Sequence, residues 1–314
     1  MPTPDPVRTD VPNIPKILLT GASGYVGGRL VSLLEKQPVS LRCLVRNPDK
    51  MRDLVKDSTE VVQGDVLDPA SLESALTGVH TAYYLVHLMS GSGDFEKEDR
   101  QAAMNFAQGA QRAGVKRIIY LGGLGDEADP NLSPHLRSRH EVGKILRDSG
   151  VETIEFRAGV VLGAGSLSYQ LMKSLTDRLP VMICPKWLTT PTQPIAVEDV
   201  LAYLLAAREL PAGENRIFEI GSPDVVTYGN LIREYARQRG LKRWLIFVPV
   251  LTPYLSGLWL ALVTPATYAV GRHLIEGLKN PTVVRDNKAL QAFTIRPISV
   301  KDAIQRAIAS AKDG

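Results

Sequence analysis

The segment TGASGYVGG at residues 20–28 constrains the fold more than any other part of the chain. It follows the apolar residues Ile17, Leu18 and Leu19 directly and runs into a helical period, so glycines stand at 21, 24 and 27 in a strand-to-helix turn. Such a turn needs glycine because the backbone must bend sharply and expose its N–H groups, while the helix N-terminus adds partial positive charge. A strand before and a helix after make the pattern specific for a dinucleotide pyrophosphate. The cradle predicted here comprises Gly21, Ser23, Gly24, Tyr25, Val26 and Gly27.

From this turn onward short apolar runs alternate with helical periods, which predicts a parallel sheet built from βαβ units, a doubly wound Rossmann α/β fold. Strands are expected at 17–20, 41–45, 61–63, 81–86, 117–121 and 153–156. Helices are expected at 28–35, 70–76, 95–112 and 136–148, with Gly114 and Gly150 as stops after the last two. The regular alternation stops after Arg157, and periods at 166–179, 227–239 and 251–278 predict a smaller, mostly helical lobe that chooses the substrate. The expected division is a tail at 1–14, a nucleotide-binding domain at 15–165 and an interlocked C-terminal lobe at 166–314.

In this fold an acidic residue about twenty positions beyond the glycines binds the ribose hydroxyls of NAD, whereas an arginine there accommodates the 2′-phosphate of NADP. Here Val45 is followed by Arg46, whose planar fork suits a phosphate, and Arg42 and Lys50 add charge. NADP(H) is therefore expected over NAD(H). At the third strand end Asp65, followed by Val66, can accept from the adenine amino group or cap a helix.

The net charge of +4 comes from 37 basic and 33 acidic residues scattered along the chain, without the basic run of a nucleic-acid arm. With two cysteines, Cys43 and Cys184, there is neither a disulfide framework nor a CxxC metal site, and no metal is expected; the cysteine usage suggests a cytoplasmic setting. Residues 244–271 contain no charge. Pro249, Pro253 and Pro265 argue against one spanning helix, which leaves broken helices packed on the sheet or a partner, or peripheral membrane contact, through the stretch that Trp244 opens and Val270 closes.

These residues together resemble the atypical short-chain dehydrogenase/reductases, in the branch of NmrA-like and complex I accessory-subunit-like NAD(P)-binding proteins. The matching pieces are TGASGYVGG, GDVLDP at 64–69, YYLVHLM at 83–89, HLRSRHEVGKIL at 135–146, EFRAGVVLGAGS at 155–166 and PIAVEDV at 194–200. The resemblance implies that Leu85, Val86 and His87 line the cofactor at the fourth strand end and that Ala158, Gly159, Val160 and Val161 pass near the nicotinamide. It also implies a Tyr-xxx-Lys pair and a serine, from which this chain departs. The corresponding segment is taken as His140 to Lys144, with histidine for tyrosine, and the strand end that should offer serine reads Gly122-Gly123.

His140 is then the candidate proton donor and Lys144 the ribose ligand; the alternative is that both are helix surface residues beside Arg137 and Arg139. Tyr83 and His87 are further candidates. The function expected is NADP(H)-dependent oxidation or reduction of a small apolar substrate. The alternative is a non-catalytic dinucleotide sensor or assembly factor, which the missing Tyr and Ser favour.

Overall fold

The computed structural model describes residues 14–88, 94–248 and 277–311. The first half alternates without interruption: β1 (Lys16–Thr20), α1 (Tyr25–Leu34), β2 (Ser40–Val45), α2 (Asp49–Arg52), β3 (Glu60–Gln63), α3 (Pro69–Leu76), β4 (Thr81–Tyr84), α4 (Phe95–Arg112), β5 (Arg117–Gly123), α5 (Pro134–Arg147) and β6 (Glu152–Ala158). Caps follow from local chemistry. The side chains of Asp68 and Ser133 accept backbone N–H bonds at the starts of α3 and α5, each with proline in the first turn. Gly114 and Gly150 take positive φ after α4 and α5, where a left-handed residue ends a helix.

The strands order as β3-β2-β1-β4-β5-β6, all parallel, and a seventh strand, β11 (Arg216–Ile220), adds beside β6. Alternate residues of each strand serve opposite faces. On one, Ile17, Leu19, Leu41 and Cys43 pack against Leu30, Val31 and Leu34 of α1 and against Val200, Leu201 and Leu204 of α7 (Val197–Ala206). On the other, Leu18, Leu44, Ala82, Tyr84 and Ile118 meet Leu72 and Leu76 of α3, Phe106 of α4 and Leu146 of α5. Burial on both faces is what near-continuous apolar strands require.

The sequence reading missed β11 and α7, which return to the sheet from beyond residue 165. A cut at 165 would strip both from the core they complete, so the C-terminal part is woven into the first. Its own elements are β7 (Val161–Leu162), α6 (Leu167–Arg178), β8 (Val181–Cys184), β9 (Pro191–Thr192), β10 (Ile195–Ala196), β12 (Val226–Thr227), α8 (Tyr228–Gln238), β13 (Trp244–Phe247), α9 (Lys288–Ala292) and α10 (Val300–Ser310). A second apolar core joins Tyr169, Met172 and Leu175 of α6 to Leu231, Ile232 and Tyr235 of α8 and to Ile304 of α10.

Residues 1–13 of the expected tail, and all but the last two residues of the helix expected at 251–278, lie outside the described residues. The start of the uncharged run forms a parallel ribbon, β13 on β8, rather than a helix. Among the described residues no helix is long and apolar enough to cross a membrane.

Candidate active site at the carboxyl edge of the sheet

All the parallel strands from β3 to β6 end on one edge, and the loops leaving that edge hold most of the predicted site. Gly21 has φ +73°, and a Cβ there would lie 2.5 Å from the Leu85 carbonyl oxygen. At Gly27 a Cβ would overlap the Gly21 carbonyl, so the first turn of α1 can lie against the loop only with glycine there. The loop closes through Gly24 N–H donating to Gly21 O at 2.9 Å, and the first turn of α1 carries no acidic residue. A shallow cradle of backbone N–H groups at a helix start, without side chains across its mouth, fits a pyrophosphate. Ser23 is exposed beside it and Tyr25 is half-buried, with the Arg29 guanidinium stacked 4.0 Å from its ring centroid. Val26 packs into the core beneath.

Arg46 is exposed immediately after β2, where an adenosine 2′-phosphate would reach it. Arg42 is a correction. It points to the opposite side, paired with Glu60 at 2.7 Å and donating to the carbonyls of Ser74, Ala75 and Thr77 at the end of α3. Its charge holds the fold together and adds nothing to Arg46. Asp65 accepts from Leu67 N–H at 2.9 Å, a local turn bond, while Asp68 is the residue that caps α3. Val66 is buried in the core.

A cavity of about 270 Å³ opens from the ends of β4, β5 and β6 toward the second core. His87, Ala158, Gly159 and Val160 line it, as do Gly122 and Gly123; Leu85 and Val86 lead into it from β4. Gly159 faces Thr282, whose side chain would meet a Cβ at 3.1 Å. Its far wall is apolar, built from Leu171, Met172, Leu175, Trp187, Leu231 and Ile232. Tyr83 is not part of it, because its hydroxyl donates to the Leu204 carbonyl in the core.

The structure does not bring the expected pair, His140 and Lys144, together at the cavity. His140 is buried against β5, with Nε2 3.0 Å from the Gly123 carbonyl, and does not line the cavity. Burial first, and the Arg157 charge second, hold its pKa below the ordinary range. Lys144 is exposed on α5 and paired with Asp148 at 2.5 Å. The face of α5 toward the sheet carries Leu136, Arg139, His140, Gly143 and Leu146, and Lys144 falls outside that stripe.

The i, i+4 pair that does reach the cavity stands five residues earlier: His135 and Arg139. Arg139 donates to the carbonyls of Val86 and Leu121 and stacks over the Tyr120 ring, bracing the ends of β4 and β5. His135 Nδ1 lies 3.0 Å from Nε2 of His87, whose Nδ1 lies 3.0 Å from Oδ2 of Asp99. Asp99, on α4 and almost wholly buried, also accepts from Ser138 Oγ at 2.8 Å and Leu88 N–H at 3.0 Å. Burial alone would raise its pKa, but the His87 bond and charge, the Leu88 N–H and the Arg139 charge bring it down to about 2. Burial, then the Arg139 charge, lowers the pKa of His87. The sequence signal for this cluster was the five-residue shift within HLRSRHEVGKIL; Asp99 gave none. Among the described residues no group of His, Cys, Asp or Glu could hold a metal.

Comparison with known proteins agrees with the fold and with nucleotide binding. The chain is 27% identical over 265 residues to a ceramide reductase of Caulobacter vibrioides, covering 82% of each chain. It is 34% identical over 146 residues to quinone oxidoreductase 2 of Escherichia coli, covering 46% of this chain and 48% of that one. The structure of a Citrobacter triphenylmethane reductase complexed with NADP(H) superposes with a TM-score of 0.74 at 18% identity, covering 93% of this chain and 99% of that one. The sequence pattern of the NAD(P)H-binding family runs through residues 21–177, half of the chain, from the first glycine of the turn to the end of α6. With the glycine cradle, the strand order and this match in agreement, the chain belongs to the NAD(P)H-binding family.

Proposed function

We propose that this protein is an NADP(H)-dependent oxidoreductase that moves hydride between the nicotinamide and an apolar organic substrate held in the cavity at the strand ends. The observation that carries the reading is the continuity of that cavity. It begins at the strand ends where this fold presents the nicotinamide and continues between α6 and α8 over leucine, isoleucine, methionine and tryptophan side chains. The dinucleotide supplies hydride chemistry; the protein's share is to hold it on the glycine turn and Arg46, to place a substrate carbon beside it, and to exclude water. The name of the 27%-identical ceramide reductase supports a lipid-like substrate.

The test is to mix the NADPH complex with decanal, trans-2-decenal, 2-decanone and menadione and follow absorbance at 340 nm. Turnover is expected with at least one of them. Shortening the active chain by three methylenes should lower kcat/KM by about tenfold or more, since each buried methylene contributes about 0.8 kcal/mol. Tight NADPH binding without turnover on any acceptor would instead support the non-catalytic sensor or assembly role.

A second reading concerns location. Trp244, Ile246, Val181 and Ile183 share one face of the β8–β13 ribbon and are 72%, 51%, 51% and 51% exposed, an apolar patch whose Trp244 and Ile246 belong to the start of the uncharged run. Such a patch suits peripheral contact with a membrane that holds the substrate. Flotation with phosphatidylcholine vesicles should carry the wild type and lose a Trp244→Glu/Ile246→Glu variant.

A further inference from the structure

The outer face of the β8–β13 ribbon is distinguished by charge as well as by apolarity. The two stretches that supply it, 178–197 and 235–275, hold seven lysines and arginines and no aspartate or glutamate, in a chain whose totals are 37 basic and 33 acidic residues. Lys242 is exposed two residues before β13 begins, and Lys186 is exposed two residues after β8 ends. The strands run parallel, with Val181 opposite Trp244 and Cys184 opposite Phe247, so the two lysines mark opposite ends of the ribbon. Arg233 of α8 adds a cation 5.6 Å from the Phe247 ring centroid, and Arg239, which closes α8, is exposed. The one carboxylate on each supporting helix is paired within its own helix: Asp177 of α6 with Lys173 at 2.8 Å and Glu234 of α8 with Arg237 at 2.7 Å.

The ribbon is held in place rather than frayed. Its inner residues Met182 and Cys184 are buried in the second core with Ile232 and Tyr235, and Arg243 donates to the carbonyls of Thr176 and Asp177 at the end of α6. A packed scaffold therefore presents the apolar face, with Trp244 at 72% exposure. A nucleic acid would engage the cations and leave that face in water. A neutral bilayer would cover the face and leave the cations without partners. A bilayer with anionic headgroups meets both demands, because apolar side chains enter the boundary of the acyl layer while ammonium and guanidinium groups stay at the phosphates. Tryptophan suits that boundary, having an apolar ring and a polar N–H.

We propose that the β8–β13 ribbon docks the protein on a bilayer that carries anionic phospholipid, with Val181, Ile183, Trp244 and Ile246 entering the headgroup layer and Lys186, Arg239 and Lys242 meeting lipid phosphates. This rests on the membrane reading above and extends it from apolar contact to the charge of the lipid. The docked face is the back of the wall that closes the cavity, since Met172, Leu175, Leu231 and Ile232 belong to the same core as Met182 and Cys184 and also line the cavity. Each lysine or arginine near an anionic surface strengthens binding by about fivefold, and the effect fades beyond a Debye length of about 8 Å at physiological salt.

The experiment is flotation of the purified full-length protein with vesicles of phosphatidylcholine alone and of phosphatidylcholine with about one third phosphatidylglycerol, at about 0.1 M and about 0.5 M NaCl. The wild type should bind the phosphatidylglycerol vesicles at least about tenfold more tightly at the lower salt, and should lose most of that gain at the higher. Lys186→Glu/Lys242→Glu should lose the gain and keep the affinity for phosphatidylcholine, whereas Trp244→Glu/Ile246→Glu should lose both. All four side chains are exposed, so thermal melting and NADPH titration should match the wild type in each variant.

Equal affinity for the two vesicles, or a gain that survives high salt or the lysine substitutions, would overturn the assignment of lipid charge and leave apolar membrane contact standing. Binding to neither vesicle would remove both. Sedimentation in the absence of lipid supplies a further test: a wild-type dimer that Trp244→Glu/Ile246→Glu turns into a monomer would make this face an interface between copies of the chain and overturn the proposal.

Discussion

Asp99 illustrates how one residue couples the site to stability. Its folded pKa of about 2 lies below the ordinary carboxylate value of 3.8. A lowered carboxylate contributes stability that is present above the unfolded pKa and is lost as pH falls through the folded one. The contribution of Asp99 should therefore be whole above about pH 4 and fade as pH falls toward 2, and it is worth on the order of 2 kcal/mol. The lowered His87 adds to acid sensitivity with the same sign: it takes up its proton at lower pH in the fold than in the unfolded chain, so stability declines as pH falls below about 6.5. Urea melts at pH 7, 4 and 2.5 should show Asp99→Asn weaker than wild type at pH 7, with the gap closing by pH 2.5. A gap independent of pH would contradict this assignment. The glycine turn was legible in the sequence because its requirement is a backbone one, visible in single residues. His135 and Arg139 were not, since HLRSRHEVGKIL holds two His-xxx-basic pairs at the same spacing, and only the face of α5 turned to the cavity decides between them.

At the scale of elements, α5 lies against β5 and β6 over an ion cluster as well as over Val142 and Leu146. Glu155, wholly buried on β6, is held by Arg147 of α5 and by Arg157 at 2.7 Å, and Arg157 also bonds the partly exposed Glu127 at 2.6 Å. Gly143 makes room for this, because a Cβ there would lie 2.5 Å from the Glu155 carboxylate. The carboxylate cannot yield without loosening its guanidinium partners. Gly143→Ala should therefore destabilise the protein by about 1–3 kcal/mol despite the gain in helix propensity, which alone would stabilise by up to about 1 kcal/mol. Chemical denaturation measures the sign directly, and a more stable variant would show that the cluster is looser than described. Strands buried on both faces were legible to within a residue or two at most of their ends, because apolar content marks them without reference to partners. The strand β11 escaped because Arg216 and Glu219 interrupt its apolar pattern and its partner β6 lies some sixty residues earlier, a pairing that no local pattern records.

Across the whole molecule, the sheet presents two unlike territories at its carboxyl edge: a polar glycine turn flanked by Arg46, and an apolar cavity closed by α6 and α8. The division of labour follows from topology, since the first half of the chain winds the sheet and the second returns across its edge. Helical periods pointed to α6 and α8 and to a lobe interlocked with the first half, but the elements that interlock it, α7 and β11, depend on tertiary packing. What the account asks of the molecule first is a dinucleotide held on that edge with its 2′-phosphate recognised. Calorimetric titration of the wild type and Arg46→Ala with NADPH and NADH tests this most directly. The account predicts that wild type binds NADPH at least about tenfold more tightly than NADH, and that Arg46→Ala loses the difference, about 1.4 kcal/mol or more, while NADH affinity is unchanged. Equal affinities in the wild type would remove Arg46 from its role, and failure to bind either nucleotide would contradict the account at its centre.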